Sequence, residues 1–255
     1  MFSLKGKTAF ITGGAGGIGL AVAQRFITAG ARVVIADIVD GTRIANEIGA
    51  IYVSIDTGNE KSVAEALQSA VVQLESKLEI VCNNAGVGDI GPTIEETEQS
   101  LIEKITRVNQ WGVMYGLKHA PAHMRDGGSI INTASMAAVE NKIGTAVYSA
   151  AKRAVLSMTE MAALELGQRG IRVNAICPGY TATAMGSGAE GEKLAAAFTA
   201  FGRVAVVEDL VGVFHFLAAD ESSYITGQAL KVDGGWSCGP PTQLLQQIIG
   251  RDHVS

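Results

Sequence analysis

Apolar residues along this chain come in short runs that stop abruptly at polar residues or glycine, and between those runs they return every three to four positions. A run of four to seven apolar or β-branched residues is strand length, and a strand buried on both faces loses the usual alternation. Strands are predicted at Thr8–Thr12, Arg32–Ala36, Ile51–Ile55, Glu79–Cys82, Ser129–Ala134, Ile171–Cys177 and Ala229–Val232. Helical spacing is predicted over Leu20–Ala29, Glu60–Ser76, Thr97–Met124, Tyr148–Gln168 and Val207–Ala218. Strands alternating with helices specify an α/β domain: one Rossmann-like, doubly wound parallel sheet of about seven strands with helices on both faces.

What ends each strand is as informative as the strand. Thr12 runs into Gly13-Gly14-Ala15-Gly16-Gly17-Ile18-Gly19, Ala36 into Asp37-Ile38, and Ile55 into Asp56-Thr57. Cys82 runs into Asn83-Asn84-Ala85-Gly86, Ala134 into Ser135, Cys177 into Pro178-Gly179, and Val232 into Asp233-Gly234-Gly235. In such sheets ligands bind outside the carboxyl ends of the strands, so these segments are expected to line one rim.

Strand, glycine-rich turn and helix in that order form a phosphate cradle, with bare N–H groups and a helix N-terminus facing a pyrophosphate. The alternative is a tight turn and nothing more. Asp37 closes the second strand eighteen residues after Gly19. A carboxylate there accepts the ribose hydroxyls of NAD and repels the extra phosphate of NADP, so NAD is preferred; the alternative is a cap on the next helix. Tyr148 and Lys152 are four apart in a predicted helix and so share a face. A cation beside a phenol favours phenolate and draws the Tyr toward working pH, where it can exchange a proton with an alcohol.

Composition narrows the setting. The chain has 255 residues, 47% hydrophobic, and its 31 glycines follow no period, which fits a covered sheet and no fibrous repeat. Net charge is −5 without a basic run, so neither nucleic acid nor a membrane surface is an expected partner. The odd set Cys82, Cys177 and Cys238, with no CxxC, points to a reduced cytoplasmic setting and no structural metal. His119 and His123 have metal spacing but lack a third ligand nearby, so no metal is expected.

The assembled pieces Thr12-Gly13-x-x-x-Gly17-x-Gly19, Asn83-Asn84-Ala85-Gly86, Asn109, Ser135, Tyr148-x-x-x-Lys152, Pro178-Gly179 and Asp233-Gly234-Gly235 resemble, in order, the short-chain dehydrogenase/reductase family over about Lys5 to Trp236. The resemblance implies that Tyr148 is the general acid/base and Ser135 hydrogen-bonds the same substrate oxygen. It implies that Lys152 holds the nicotinamide ribose and lowers the pKa of Tyr148, while Asn109 keeps a water in the proton path. It assigns cofactor contacts to Gly13, Gly17, Ile18, Gly19, Asp37, Ile38, Asp56, Thr57, Asn83, Ala85, Gly86, Tyr148, Lys152, Pro178, Gly179, Thr181 and Thr183. It implies a lid over about residues 180–203 and a homodimer or homotetramer formed through Thr97–Met124 and Tyr148–Gln168. The departures are Thr57, where an apolar residue is commoner, the bulky Gln110-Trp111 before Gly112, and Ala151 where Ser is frequent.

Substrate contacts are expected from Ser135, Ala137, Tyr148, Tyr180 and Met185, with Met136 to Val139, Phe198, Phe201 and Trp236 as apolar walls. Walls without fixed charge imply a small, neutral, mostly apolar secondary alcohol or ketone. Residues 237–255 form an extension in which Pro240-Pro241 precedes a short amphipathic helix, Thr242–Ile249, packed on the core, on a neighbouring subunit or left loose. The favoured function is an NAD-dependent alcohol dehydrogenase; the alternatives are a 3-oxoacyl-type reductase and a non-catalytic dinucleotide sensor.

Overall fold

β1 (Thr8–Thr12) lies third from one edge of a seven-stranded sheet, and all five of its side chains are buried. In this computed structural model, which describes residues 2–88, 91–185 and 189–250, six more parallel strands flank it. They are β2 (Arg32–Asp37), β3 (Ile51–Ser54), β4 (Leu78–Asn83), β5 (Met124–Thr133), β6 (Arg172–Pro178) and β7 (Ala229–Val232), in the order β3-β2-β1-β4-β5-β6-β7. Winding runs outward from β1 to β3, returns to β4, then runs the other way. The crevice between the ends of β1 and β4 is therefore where a doubly wound sheet takes a ligand.

The two-residue period of a strand divides the core. Phe10, Val34, Ala36 and Val81 face one side, and Ala9, Ile11, Val33, Ile35 and Ile80 the other. The first face is covered by α3 (Glu60–Leu74), α5 (Gly112–His123) and α6 (Ala146–Leu166), the second by α1 (Gly17–Thr28) and α8 (Glu208–Ala218). Phe10, Phe26 and Phe214 are at most 1% exposed, and truncating one such ring to Ala costs about 3–5 kcal/mol.

Three elements differ from the sequence expectation. α2 (Thr42–Ile48) was not placed by apolar spacing; only Ala45 of its seven residues is buried, which leaves a weak apolar signal. The stretch expected as one helix, Thr97–Met124, is α4 (Gln99–Thr106), a π-helical turn Arg107–Trp111, and then α5. β5 begins at Met124, five residues before the expected Ser129, because Met124 pairs with Leu78 across a bulge in the register.

α7 (Ala189–Phe198), within the stretch expected as a lid, and the terminal helix α9 (Thr242–Ile249) touch, and Gln243 Nε2 donates to Thr199 O at 2.9 Å. The extension thus packs on this chain's own α7 region; residues 186–188 of the expected lid and 251–255 of the extension lie outside the described residues. Among the described residues no helix is long and apolar enough to cross a membrane.

Candidate active site

The turn after β1 is built for close approach. A Cβ on Gly19 would stand 2.1 Å from Gly13 O, and one on Gly13 would stand 2.9 Å from Ala85 Cα, so neither position accepts a side chain. Gly16 differs: its φ is −163°, and a Cβ there would meet nothing within 4 Å. α1 has no side-chain cap and no acidic residue in its first turn. The positive dipole end of α1 thus carries no side-chain cap, and the space beside Gly16 fits the pyrophosphate of a dinucleotide. Ile18 packs beneath the turn against the α1-side core.

Asp37 fastens this turn to β2. Its carboxylate accepts the Ala15 N–H at 3.0 Å and the Val39 N–H at 3.1 Å. It does not cap α2, whose N-cap is Gly41 without a side-chain hydrogen bond; Asp40, one residue earlier, accepts the Thr42 N–H at 2.9 Å. Ile38 beside it is 70% exposed, an apolar surface at the rim. Asp56 accepts the Gly58 N–H at 2.9 Å and stands 3.8 Å from Arg107 Nη1. Thr57 is buried against Gly112, where an added Cβ would meet Thr57 O at 3.1 Å. Its side chain is committed to helix packing.

The Asn pair after β4 divides its work. Asn83, expected at the cofactor, turns its side chain into the sheet: it donates to Asn132 Oδ1 at 2.8 Å, and Asn132 donates to Thr159 Oγ1 at 2.9 Å. Asn84, absent from the expected site, joins three strand ends. Its Nδ2 donates to Thr12 O at 3.0 Å, its N–H to Thr12 Oγ1 at 2.9 Å, and its Oδ1 accepts from Thr133 Oγ1 at 3.1 Å. Ala85 N–H also reaches Thr12 Oγ1, at 3.0 Å. The adjacency of the two amides was the only signal in the sequence.

Asn109 lies in the π-helical turn and is fully buried. Its carboxamide clamps Val87, accepting the Val87 N–H at 2.9 Å and donating to Val87 O at 2.7 Å. Gly86 leaves room for it, since a Cβ there would stand 2.8 Å from Asn109 Oδ1 and 3.5 Å from Lys152 Nζ.

Ser135, Tyr148 and Lys152 meet at the ends of β5 and β6. Ser135 Oγ accepts the Ala137 N–H at 3.1 Å and caps a short 3-10 turn, Met136–Ala138. Burial holds the Tyr148 phenol above its ordinary pKa, and a hydrogen bond with the Ser135 side chain works against that shift. Lys152 is 3% exposed; its Nζ donates to Thr133 O at 2.8 Å and sits 5.8 Å from the centre of the Tyr148 ring. Burial brings Lys152 down to about 8. The expected lowering of Tyr148 by Lys152 does not figure in its shift in the protein by itself: desolvation of the phenol raises it, and the opposing effect comes from Ser135. Cys177 is buried beneath the site; desolvation first, then the opposing Ser135 N–H and Lys152, leave its thiol at about 11, no nucleophile.

Pro178 pairs with Val232, and a Cβ on Gly179 would stand 3.0 Å from Asp233 Cα, which explains why Pro-Gly faces Asp-Gly-Gly. Thr181 is buried and bonds Gly179 O at 3.1 Å, whereas the Thr183 methyl lies 3.6 Å from where Gly17 would carry a Cβ. Met185 lies over Gly88, its Cγ 2.8 Å from a Cβ built there, so the lid meets the β4 loop. Tyr180 lies 5.5 Å from Trp236, which stacks on Phe198 at 5.0 Å. Met136, expected in the pocket wall, packs instead into the core, while Ala137 stays half-buried at the rim and Phe201 is 74% exposed. Lys142, not expected in the site, donates to the Tyr180 hydroxyl, its ammonium 4.7 Å from the ring centre at the hydroxyl edge. No periodicity marks a lone Lys in a loop.

Among the described residues no group of three or more potential ligands could hold a metal ion, and His119 is bonded to Glu60 at 3.0 Å.

Comparison with known proteins follows the geometry. A family model described as enoyl-(acyl carrier protein) reductase matches residues 13–237. The chain is 41% identical over 241 residues to the mitochondrial borneol dehydrogenase of Lavandula x intermedia, covering 92% of each. It is 36% identical over 250 residues to 3beta-hydroxysteroid dehydrogenase 2 of Eggerthella lenta, covering 92% of this chain and 96% of that one. The crystal structure of a blue fluorescent protein from a metagenomic library, in complex with NADPH, superposes with a TM-score of 0.86 at 31% identity, over 92% of this chain and 99% of that one. A glycine cradle, a Ser-Tyr-Lys cluster on the adjoining strand ends and relatives matched over nearly their whole length agree: the chain belongs to the short-chain dehydrogenase/reductase family of oxidoreductases.

Proposed function

We propose that this protein transfers a hydride between NAD and a neutral, mostly apolar secondary alcohol or its ketone. The observation that carries the reading is the convergence of Ser135, Tyr148 and Lys152 beside a glycine cradle with open space at Gly16. Gly13, Gly17, Ile18, Gly19 and the α1 N-terminus would hold the pyrophosphate, Asp37 and Ile38 the adenosine ribose, and Asp56 with the Thr57 backbone the adenine. Asn83 (through its backbone), Ala85, Gly86 and Lys152 would hold the nicotinamide ribose, and Pro178, Gly179, Thr181 and Thr183 the carboxamide. When bound, the nicotinamide ring supplies the hydride acceptor or donor.

Tyr148 Oη takes the alcohol proton in the oxidative direction and returns it in the reductive one, and Ser135 Oγ hydrogen-bonds the same oxygen as its charge changes. Lys152 places a positive charge beside them at neutral pH. Asn109 fixes the Val87 backbone, next to Gly86, and so holds the floor of the site in place. Asp37 favours NAD because it would repel a ribose phosphate.

The reading extends to residues 1–236 as the catalytic domain, with 237–255 an extension that braces the lid. A homodimer or homotetramer is supported by the exposed Trp111, Met114, Met161 and Leu164 on the two helical regions expected at the subunit contact. The three free cysteines fit a cytoplasmic location.

The test is nicotinamide reduction with NAD or NADP and a panel of cyclic and aromatic secondary alcohols, with Tyr148→Phe as control. Turnover with NAD that vanishes in the variant is expected. Tight NAD binding with no turnover of any alcohol or ketone would favour a sensor instead.

A further inference from the structure

Resting on the NAD reading above, we propose that Tyr52 is a positioning residue for cofactor selection: its phenol fixes the segment from Asp37 to Gly41 and, through Val39, holds the Asp37 carboxylate where an adenosine ribose would meet it. Tyr52 lies in β3, the edge strand, paired with Ile35 of β2. Its ring packs with Ile35 against the α1-side core. From there the phenol reaches past the end of β2, with Oη 3.1 Å from Asp37 O and 3.1 Å from Val39 O. A phenol has one proton to donate, so the two carbonyls share it. Asp37 O also accepts the Ile55 N–H at 3.0 Å, so the phenol is the bond that ties Val39 to β3.

The contacts close into a ring. Val39 is held twice, its N–H donating to Asp37 Oδ1 at 3.1 Å and its carbonyl accepting from Tyr52. The other carboxylate oxygen, Oδ2, takes the Ala15 N–H at 3.0 Å, in the glycine-rich turn. Gly41 lies between Ala15 and the Tyr52 ring: a Cβ there would stand 3.2 Å from Ala15 Cβ and 3.0 Å from Tyr52 Cδ2. The side chains of Ile38 and Val39 are 70% and 65% exposed. Little apolar burial holds this segment down, and the polar bonds do it instead.

A carboxylate that selects a cofactor by charge must be unable to turn away. An ionised carboxylate has about four acceptor sites, and the two N–H groups take one on each oxygen. One site on each oxygen is left, which suits the paired hydroxyls of a ribose. Held in that position, the charge meets a phosphate on the same ribose with its full repulsion. Without the phenol proton Val39 loses its tie to the sheet, and the carboxylate and the segment it holds are free to swing aside together. NAD then loses a fitted acceptor pair, and NADP loses part of the repulsion against it.

The experiment is calorimetric titration with NAD and with NADP, which needs no substrate. The ratio of the Kd for NADP to the Kd for NAD is read first in the wild type and tests the NAD reading by itself. A wild type without that preference removes the reading, and the proposal falls with it; where the preference is present, the variants decide the proposal alone. Tyr52→Phe keeps the ring and loses the proton, and is expected to shrink the ratio about fivefold, the worth of one neutral hydrogen bond. In an Asp37→Ser background the same change is expected to leave the ratio within about twofold, because the phenol acts through the carboxylate. Gly41→Ala is compatible with the φ of −99° at that residue and pushes on the Tyr52 ring, so it is expected to shrink the ratio in the same direction. Thermal unfolding checks each variant, and Gly41→Ala carries the test should Tyr52→Phe fail to fold. An unchanged ratio, equal weakening of both cofactors, or the same shrinkage with and without Asp37 overturns the proposal and leaves Tyr52 a support of the sheet edge.

Discussion

The carboxamide of Asn109 and the backbone of Val87 meet as two strands would: Oδ1 takes the Val87 N–H at 2.9 Å and Nδ2 gives to Val87 O at 2.7 Å. One side chain, placed by a π-helical turn, thus completes the backbone of the loop that floors the site. Asn109→Ala leaves two part-buried backbone groups without their partner, at about 1–3 kcal/mol together, since water reaches them in part. The expected result is a lower Tm and a kcat reduced about tenfold or more with substrate KM nearly unchanged, measured by thermal unfolding and steady-state kinetics. A KM effect without a kcat effect would show that the clamp serves binding.

The cradle can be tested apart from the fold. Gly16→Ala puts a methyl into open space at an extended residue, so Tm is expected to stay within about 2 °C of wild type while NAD affinity falls. Gly19→Ala puts the methyl 2.1 Å from Gly13 O and is expected to lower both. Calorimetric NAD titration with parallel unfolding scans separates the two. Unchanged NAD binding in Gly16→Ala would move the pyrophosphate elsewhere.

Asp37 binds the Ala15 N–H as well as facing the rim, so its replacement has two effects. Asp37→Ser removes the charge and keeps an acceptor. The ratio of kcat/KM for NADP to that for NAD is expected to rise at least about tenfold, the value of one lost repulsion in a partly screened site. A fall with both cofactors at a constant ratio would assign Asp37 to the turn alone.

Lys152 is held near 8 by burial, below its value of about 10.4 in an unfolded chain. A base whose folded pKa is depressed binds fewer protons in the native state, so stability gained from its neutral form grows as pH rises through that window. Without cofactor, Lys152→Met is expected to raise Tm by a few degrees near neutral pH, flatten the Tm profile between about pH 8 and 10, and lower activity at least about a hundredfold. A variant less stable than wild type at pH 7 would contradict the buried-charge account.

His215 is neutral by geometry. Its Nδ1 accepts from Arg25 Nε at 3.0 Å, and its Nε2 reaches Phe2 O at 2.5 Å. Burial, ahead of the smaller effects of the Phe2 carbonyl, Arg25 and Glu221, keeps its pKa below the ordinary value. A depressed base contributes stability above its unfolded pKa of about 6.5, lost as pH falls from there toward the folded value. Tm is expected to drop on acidification below pH 6.5, with the slope reduced in His215→Asn. An identical acid profile in the variant would assign the loss to other groups.

Each strand and its polar terminus were legible in the sequence because buried parallel strands are short apolar runs that must stop where the ligand rim begins. The Tyr148/Lys152 pair was legible because helix spacing puts residues four apart on one face. Local periodicity could not show the π-helical turn: Arg107 to Trp111 keeps its apolar spacing while the hydrogen bonds shift by one. Nor could it tell Asn83 from Asn84, whose opposite fates follow from strand alternation, one side chain entering the sheet and the next meeting Thr12 and Thr133. Lys142 is visible only once β5 and β6 lie side by side.

The three-way attachment of Asn84 makes it a gauge. The end of β1 and the end of β5 are separated by β4, and the span from Thr12 O to Thr133 Oγ1 is bridged by the width of one amide. The half of the site inherited from the first strands and the half built by the later ones cannot drift apart without breaking one of these bonds. Engineering that regrafts either half onto another scaffold must therefore carry this amide along, or lose the calibration between where a cofactor would end and where the proton relay begins.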